Sequence, residues 1–286
     1  MLSRRTLLRG SIAAPFLGSG FAKAAAARQS DLKWAVYYAD HLPPSAFEEY
    51  ELLIFDPGAH PKLDVLKDAR KLVFGYLSLG EVAQTRSYFG SIRDLGLLRG
   101  ENQYWPGSHF VDVRDSRWVK TVIEDLVPAI LQRGFQGLFL DTLDNPPELE
   151  RRDPAKNAGM TDSATRLVRA LKLHYPSVPL IMNRGYELLP KLATVVEYVL
   201  GESVLADYDF ESKRYRRVPD PLYREQVAIL KNAQAAAPDL KVLTLDYWDP
   251  RDSEAIAAIY REQRGNGFSP YVSVVELDVL VAEPKA

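Results

Sequence analysis

None of the 286 residues is cysteine, which excludes disulfide stapling, thiolate chemistry and a lipidated-cysteine anchor. Histidine is nearly as scarce. The four present, His41, His60, His109 and His174, show no H-x-H or H-E-x-x-H spacing, so the usual mark of a transition-metal site is missing. His174 precedes Tyr175-Pro176 at a helix end and reads as structural. There is no Gly-x-Ser-x-Gly elbow, no phosphate-binding P-loop and no basic stripe interleaved with aromatics, so serine-hydrolase, nucleotide and nucleic-acid functions are not indicated. Neither sign of charge dominates: 36 basic and 38 acidic residues leave a formal charge of −2.

Long apolar runs are also lacking, except at the N-terminus. There Ser3-Arg4-Arg5-Thr6-Leu7-Leu8 leads into an uncharged stretch from Gly10 to Ala22, and Ala22-Lys23-Ala24 offers an A-x-A cleavage site. The stretch is short for a membrane span, so residues 1–24 are expected to be a twin-arginine export signal, giving a periplasmic or secreted protein with no membrane association after cleavage. Removing them takes away Arg4, Arg5, Arg9 and Lys23 and no acid, leaving 32 basic against 38 acidic residues and a charge of −6. That balance disfavours polyanionic partners and admits neutral or cationic ones.

Residues 25–286 carry no low-complexity linker and suit one large domain. Eight short apolar segments read as strands: Trp34 to Tyr38, Leu52 to Phe55, Leu72 to Leu79, Gly137 to Leu140, Leu180 to Met182, Tyr198 to Leu200, Val242 to Leu245, and Tyr271 to Val275. Helical spacing appears between them, from Trp118 to Ile130, over Leu167 to Leu173 after the capping candidates Thr161 and Asp162, and over Tyr186 to Val196, Tyr223 to Ala236 and Ser253 to Arg264. Gly134 and Gly265 stand where helices should stop. Eight strands alternating with helices predict an α/β fold, a (β/α)8 TIM barrel, with its last helix short or missing because few residues follow the eighth strand. An open doubly wound sheet is the competitor, but Tyr37-Tyr38-Ala39-Asp40-His41 is no glycine-rich phosphate loop. The connection from Val82 to Val113 is long and holds Tyr88, Phe89, Tyr104, Trp105 and His109, the makings of a cleft wall.

In such a barrel the C-terminal strand ends share one bowl. They deliver Asp56, Glu81, Asp141 with Asp144, Asn183 with Arg184, Glu202, Asp246 with Tyr247, and Glu276. Asp56 before Pro57-Gly58 also suits a turn, Glu81 a helix start, and Asp246 a partner for backbone amides. Asp141 and Glu202 end apolar strands outside capping contexts, so they are the expected catalytic pair. Two carboxyl groups flanked by aromatic rings suit glycoside hydrolysis, one ionised and one protonated. Tyr37, Tyr76, Trp105, Tyr247 and other aromatics near strand ends supply candidate rings. No cofactor is expected. An all-oxygen magnesium site from Asp141, Glu202 and Asp246 is a lesser alternative. So is a polysaccharide-binding barrel without turnover, in which Arg184 spoils the acid's proton donation.

Five motifs in order, Gly75-Tyr76-Leu77-Ser78-Leu79-Gly80-Glu81, Gly134-Phe135-Gln136-Gly137-Leu138-Phe139-Leu140-Asp141, Met182-Asn183-Arg184-Gly185, Gly201-Glu202-Ser203 and Leu245-Asp246-Tyr247, resemble the glycoside hydrolase family 114 type of TIM barrel. That family is described as endo-α-1,4-polygalactosaminidase. The resemblance implies Asp141 as nucleophile, Glu202 as general acid/base, an amino-sugar polysaccharide as partner, and Glu81, Asn183, Asp246 and Tyr247 at the sugar. Two departures stand out: Gln136 replaces the more usual aspartate, and Arg184 follows the asparagine, bringing a positive charge that would disfavour a cationic polymer.

Overall fold

Eight parallel strands supply the frame: β1 Trp34–Tyr37, β2 Leu52–Phe55, β3 Leu72–Ser78, β4 Gly137–Asp141, β5 Leu180–Asn183, β6 Tyr198–Glu202, β7 Lys241–Tyr247 and β8 Ser269–Ser273. They pair in sequence order. The structure is a computed structural model and describes residues 32–284, so the expected export signal lies outside the described residues. Both faces of the sheet are covered, which is why β1, β2 and β5 are buried at every position and read as unbroken apolar runs. The ring closes where β1 meets β8: Trp34 Nε1 donates to the Ser269 carbonyl at 2.8 Å, Tyr38 N to the Leu277 carbonyl at 2.7 Å, and the Trp34 and Tyr271 rings lie 5.5 Å apart.

The expected (β/α)8 architecture is therefore present, and among the described residues after β8 there is no helix. The helical run Ser116–Gln132 widens into a π turn over Thr121–Leu126. Pro128 lies just beyond this turn and lacks the amide that an unbroken α ladder would use, so a register change there is expected. Three local expectations need correction. Thr161 and Asp162 lie inside the helix Met160–His174 rather than capping it, and Glu150 instead accepts from Gly159 N at 2.7 Å and Thr161 N at 2.9 Å. Helix Ser253–Gly265 runs through Gly265, and the left-handed residue is Gly267. Between Tyr186 and Val196 only Leu189–Leu192 is helical.

Two excursions rise from the C-terminal ends of the strands. After β3 the chain forms a three-stranded antiparallel sheet, Glu81–Ala83, Leu98–Glu101 and Ser108–Val111, with Ser108–Val111 in the middle. After β6 it forms the hairpin Ala206–Asp209 with Arg214–Arg217. Both stand over the bowl.

Candidate active site

Adjacent strand ends bring the acids together. Asp141 ends β4, Asn183 ends β5, and Glu202 ends β6, so the amide sits between the two carboxyls. Asn183 Nδ2 donates to Asp141 Oδ1 at 2.8 Å and to Glu202 Oε2 at 2.7 Å, which limits the separation of those two oxygens to about 5.5 Å. Each carboxyl has a second donor. The Tyr76 hydroxyl in β3 donates to Asp141 Oδ2 at 2.8 Å, and the Tyr247 hydroxyl at the end of β7 donates to Glu202 Oε1 at 2.5 Å.

Burial raises both carboxyls above the usual range. For Glu202 the next cause is the charge on Asp141, while Asn183, Tyr247 and lastly Arg184 pull it down. Asp141 is lowered by Asn183, the Thr142 backbone and Tyr76, and Asp144 is the charge that opposes its ionisation. Asp144 is itself neutralised by Arg184. The two carboxyls are coupled, and the charge of Asp141 adds to burial in favouring the protonated form of Glu202. Tyr76 and Tyr247 are held well above their ordinary value by burial and by these carboxylates, so they remain donors.

The backbone is bent immediately after each of the three residues. Thr142, Arg184 and Ser203 take φ values of 61, 49 and 53°, left-handed positions that side chains other than glycine rarely adopt, and a concentration of them is typical of a functional site. Their turns are tied from outside. The Thr142 hydroxyl accepts from Gly80 N at 2.7 Å, and a Cβ on Gly80 would overlap the Thr142 carbonyl oxygen. Gly80→Ala is therefore expected to displace the turn that carries Asp141 and to lower kcat by about 10- to 100-fold. Steady-state kinetics and a melting curve on the same sample check it.

Arg184 behaves differently from its expected role. Its Nε donates to Asp144 Oδ2 at 2.8 Å, its Nη1 to the Glu202 carbonyl at 3.1 Å, and Asp144 also accepts from Gly185 N at 2.6 Å. The guanidinium is a strut between the β4, β5 and β6 turns, with its charge matched by Asp144.

Glu81 is buried and accepts from Asn102 Nδ2 at 2.9 Å and Asn145 Nδ2 at 3.0 Å. Asp56 accepts from Gly58 N at 2.7 Å in the expected turn, and it also pairs with Arg86 at 2.7 Å on the cleft wall. Tyr76, Glu81, Trp105, Asp141, Asp144, Asn183, Arg184, Glu202 and Tyr247 line the same cleft, of about 590 Å³.

Two expected site residues lie elsewhere. Tyr37 faces away from the cleft and packs against His41 and Phe47, while its neighbour Tyr38 lines the cleft beside Tyr76. Alternation along a strand sends consecutive side chains to opposite faces, and Tyr37-Tyr38 gave no hint of parity. Asp246 falls to the same rule: Leu245 and Tyr247 line the cleft, and Asp246 points outward. It accepts from Leu205 N at 2.7 Å, Ala206 N at 2.9 Å and Gln263 Nε2 at 2.7 Å. The trio suggested for magnesium is therefore not assembled, and no group of three His, Cys, Asp or Glu among the described residues has metal-binding geometry.

Fully buried, Asp246 is pushed up to about 6 by desolvation, against the hydrogen bonds it accepts. A folded value above the unfolded one means that its contribution to stability is full below about pH 4 and is lost as pH rises through 6, by up to about 3 kcal/mol. Asp246→Asn, with Gln263 turned over to accept, is expected to flatten that part of the stability profile and to be the more stable protein at pH 8. Denaturant unfolding of both proteins from pH 4 to 8 measures it.

Several cleft residues gave no sequence signal. Asn102, Asn145, Arg86, Asp207 and Phe210 come from the excursions and turns rather than from strand ends. Asn102 and Asn145 carry a detectable feature only in hindsight, as polar residues near the buried Glu81.

The family described as glycoside-hydrolase family GH114 matches residues 19–285. Among solved structures, the chain is similar to the glycoside hydrolase domain of PelA from Pseudomonas aeruginosa, with 27% identity, a TM-score of 0.75, and coverage of 88% of this chain and 98% of that one. It shares its fold with Ega3 of Aspergillus fumigatus, solved in complex with galactosamine, at 14% identity and a TM-score of 0.66 over 88% of this chain and 95% of that one. An uncharacterized protein of Methanocaldococcus jannaschii is 31% identical over 86 residues, 29% of this chain, and the match spans 25% of that relative's length.

Proposed function

The chain belongs to glycoside-hydrolase family GH114 and is a glycosidase, and from that premise we propose that it cleaves an amino-sugar polysaccharide, α-1,4-galactosaminidase-like, with Asp141 as nucleophile and Glu202 as general acid/base. The observation that carries the reading is the single amide nitrogen of Asn183 in contact with both carboxyls. It keeps the two oxygens it contacts within about 5.5 Å of each other, which suits the closer carboxyl spacing of a retaining, covalent mechanism rather than the wider spacing of an inverting one.

In the first step Asp141 Oδ attacks the anomeric carbon as the glycosidic C–O bond breaks, and Glu202 delivers its proton to the leaving oxygen. A glycosyl ester of Asp141 results. In the second step Glu202, now ionised, takes a proton from water, the hydroxyl oxygen attacks the anomeric carbon, and Asp141 departs as carboxylate. Both residues end as they began. Asn183, Tyr76 and Tyr247 hold the carboxyls aimed, and the Arg184–Asp144 strut fixes the turn that carries Glu202.

Charge supports the amino-sugar part of the proposal. The cleft is lined by seven acidic side chains and two arginines, and both arginines are matched, Arg86 by Asp56 and Arg184 by Asp144. The excess is negative, which attracts an ammonium-bearing polymer. Arg184, the ground for a binding-only barrel, is engaged with Asp144. The twin-arginine segment further suggests action outside the cytoplasm.

The test is release of reducing ends from a partially deacetylated α-1,4-galactosamine polymer, with the fully N-acetylated polymer alongside. Release is expected from the first, with a smaller rate from the second. Binding of both polymers without release from either would overturn the proposal.

A further inference from the structure

The two excursions touch above the cleft. Trp105 lies on the turn between Leu98–Glu101 and Ser108–Val111, and Phe210 at the tip of the hairpin after β6. Their rings meet edge to face, 5.2 Å apart at 79°, and both line the cleft that holds Asp141 and Glu202. Each is about half exposed, 52% and 57%. Large aromatics left this open at a cleft mouth are suited to meeting a ligand.

The two sides of the contact are supported unequally. Phe210 continues into a column of rings, Tyr208 at 5.2 Å, Tyr215 at 5.1 Å from Tyr208, and Trp248 at 6.4 Å from Tyr215. The column is rooted at the end of β7. Trp105 has no ring partner other than Phe210 among the described residues, and its turn includes the left-handed Gly107. The turn is anchored at its base, where Asn102 donates to the buried Glu81.

Nor does the cleft end beneath the pair. It continues into a second cavity of about 320 Å³ that shares Asn102, Asp144, Asn145 and Arg184 with it and adds Tyr104 and Tyr186. A chain lying under the contact has somewhere to run.

We propose that Trp105 and Phe210 form an aromatic clasp that keeps a polymer chain in the cleft between successive cleavages, the Trp105 turn parting to admit an internal stretch of chain. The inference rests on the glycosidase reading. An edge-to-face pair biases the closed state by a factor of only about 2 to 10, so opening is frequent. The closed clasp presents ring faces to the apolar faces of the sugars and to their ammonium groups. With lateral escape blocked, the chain advances along the cleft toward the second cavity, and several cuts follow one encounter.

The cysteine-free sequence makes the test clean. In a W105C/F210C protein the two thiols are the only ones, and a short bis-maleimide joins them. Linking is expected to slow hydrolysis of long, partially deacetylated galactosamine polymer at least about 10-fold relative to the same protein unlinked, while tetrasaccharides, which thread from the end, change by less than about 2-fold. In W105A/F210A the ratio of soluble product to new ends on the residual polymer is expected to fall several-fold. A linked protein that cleaves long polymer as fast as the unlinked one, or an unchanged product ratio in the alanine protein, overturns the clasp. Absence of hydrolysis by the untreated wild type is a separate result and counts against the glycosidase reading itself.

Discussion

Asp141→Asn and Glu202→Gln are each expected to lower turnover by about 10²-fold or more, with the folded protein intact. On the proposed roles, Glu202→Gln loses a positioned proton donor, on the order of 10² to 10⁴, and Asp141→Asn loses the covalent route itself. Melting temperature separates this from unfolding. Burial has raised both carboxyls above their ordinary values, which costs the folded state stability at neutral pH, and the neutral isosteres are expected to melt no lower than the wild type. A catalytic carboxylate that costs stability is the usual compromise at an active site. Reducing-end assays over a long time course, with melting curves on the same preparations, check both halves. An Asp141→Asn protein with a tenth of wild-type activity would require another nucleophile.

Asn183→Ala is expected to show a second, distinct signature: a fall in kcat of about 10²-fold, little change in KM, and an upward shift of the whole pH profile. The amide donates to both carboxyls and lowers both. Without it each binds its proton more tightly. On the proposed roles, the acid limb, set by ionisation of Asp141, is therefore expected to shift to higher pH, and so is the basic limb, set by loss of the Glu202 proton. A residue that merely filled space would lower activity without moving either limb. The dependence of kcat/KM on pH for wild type and variant decides between them.

Much of this arrangement was readable in the sequence for a simple reason. Strands covered on both faces have no polar side to confuse the pattern, so Leu52–Phe55 and Gly137–Asp141 announce themselves, and a carboxylate at the end of such a run has few places to go but the bowl. What failed was orientation. Tyr37 and Tyr38 are both aromatic, and only the direction of the first strand's pleat tells which faces the cleft. Asp246 follows an apolar run just as Asp141 does, yet it points to Gln263 and the amides of Leu205 and Ala206. The excursions were hidden for a different reason. Arg214–Arg217 reads as a charge run rather than a strand, and Asn102 gains its role from a hydrogen bond to Glu81, 21 residues away. The left-handed Thr142, Arg184 and Ser203 gave no glycine to mark them. In the sequence Arg184 looked like a free positive charge; its neutralisation by Asp144 is a tertiary fact.

The most direct test of the central claim is to trap the glycosyl intermediate. A 5-fluoro-galactosaminyl donor with a good leaving group keeps the 2-amino group and slows breakdown of the ester by destabilising the oxocarbenium-like transition state, and peptide mass analysis after acid quench locates the sugar. The account predicts one equivalent of sugar, attached at Asp141, with the first hydrolysis product keeping its anomeric configuration. Attachment at Glu202, or an inverted product with no attachment, would contradict it.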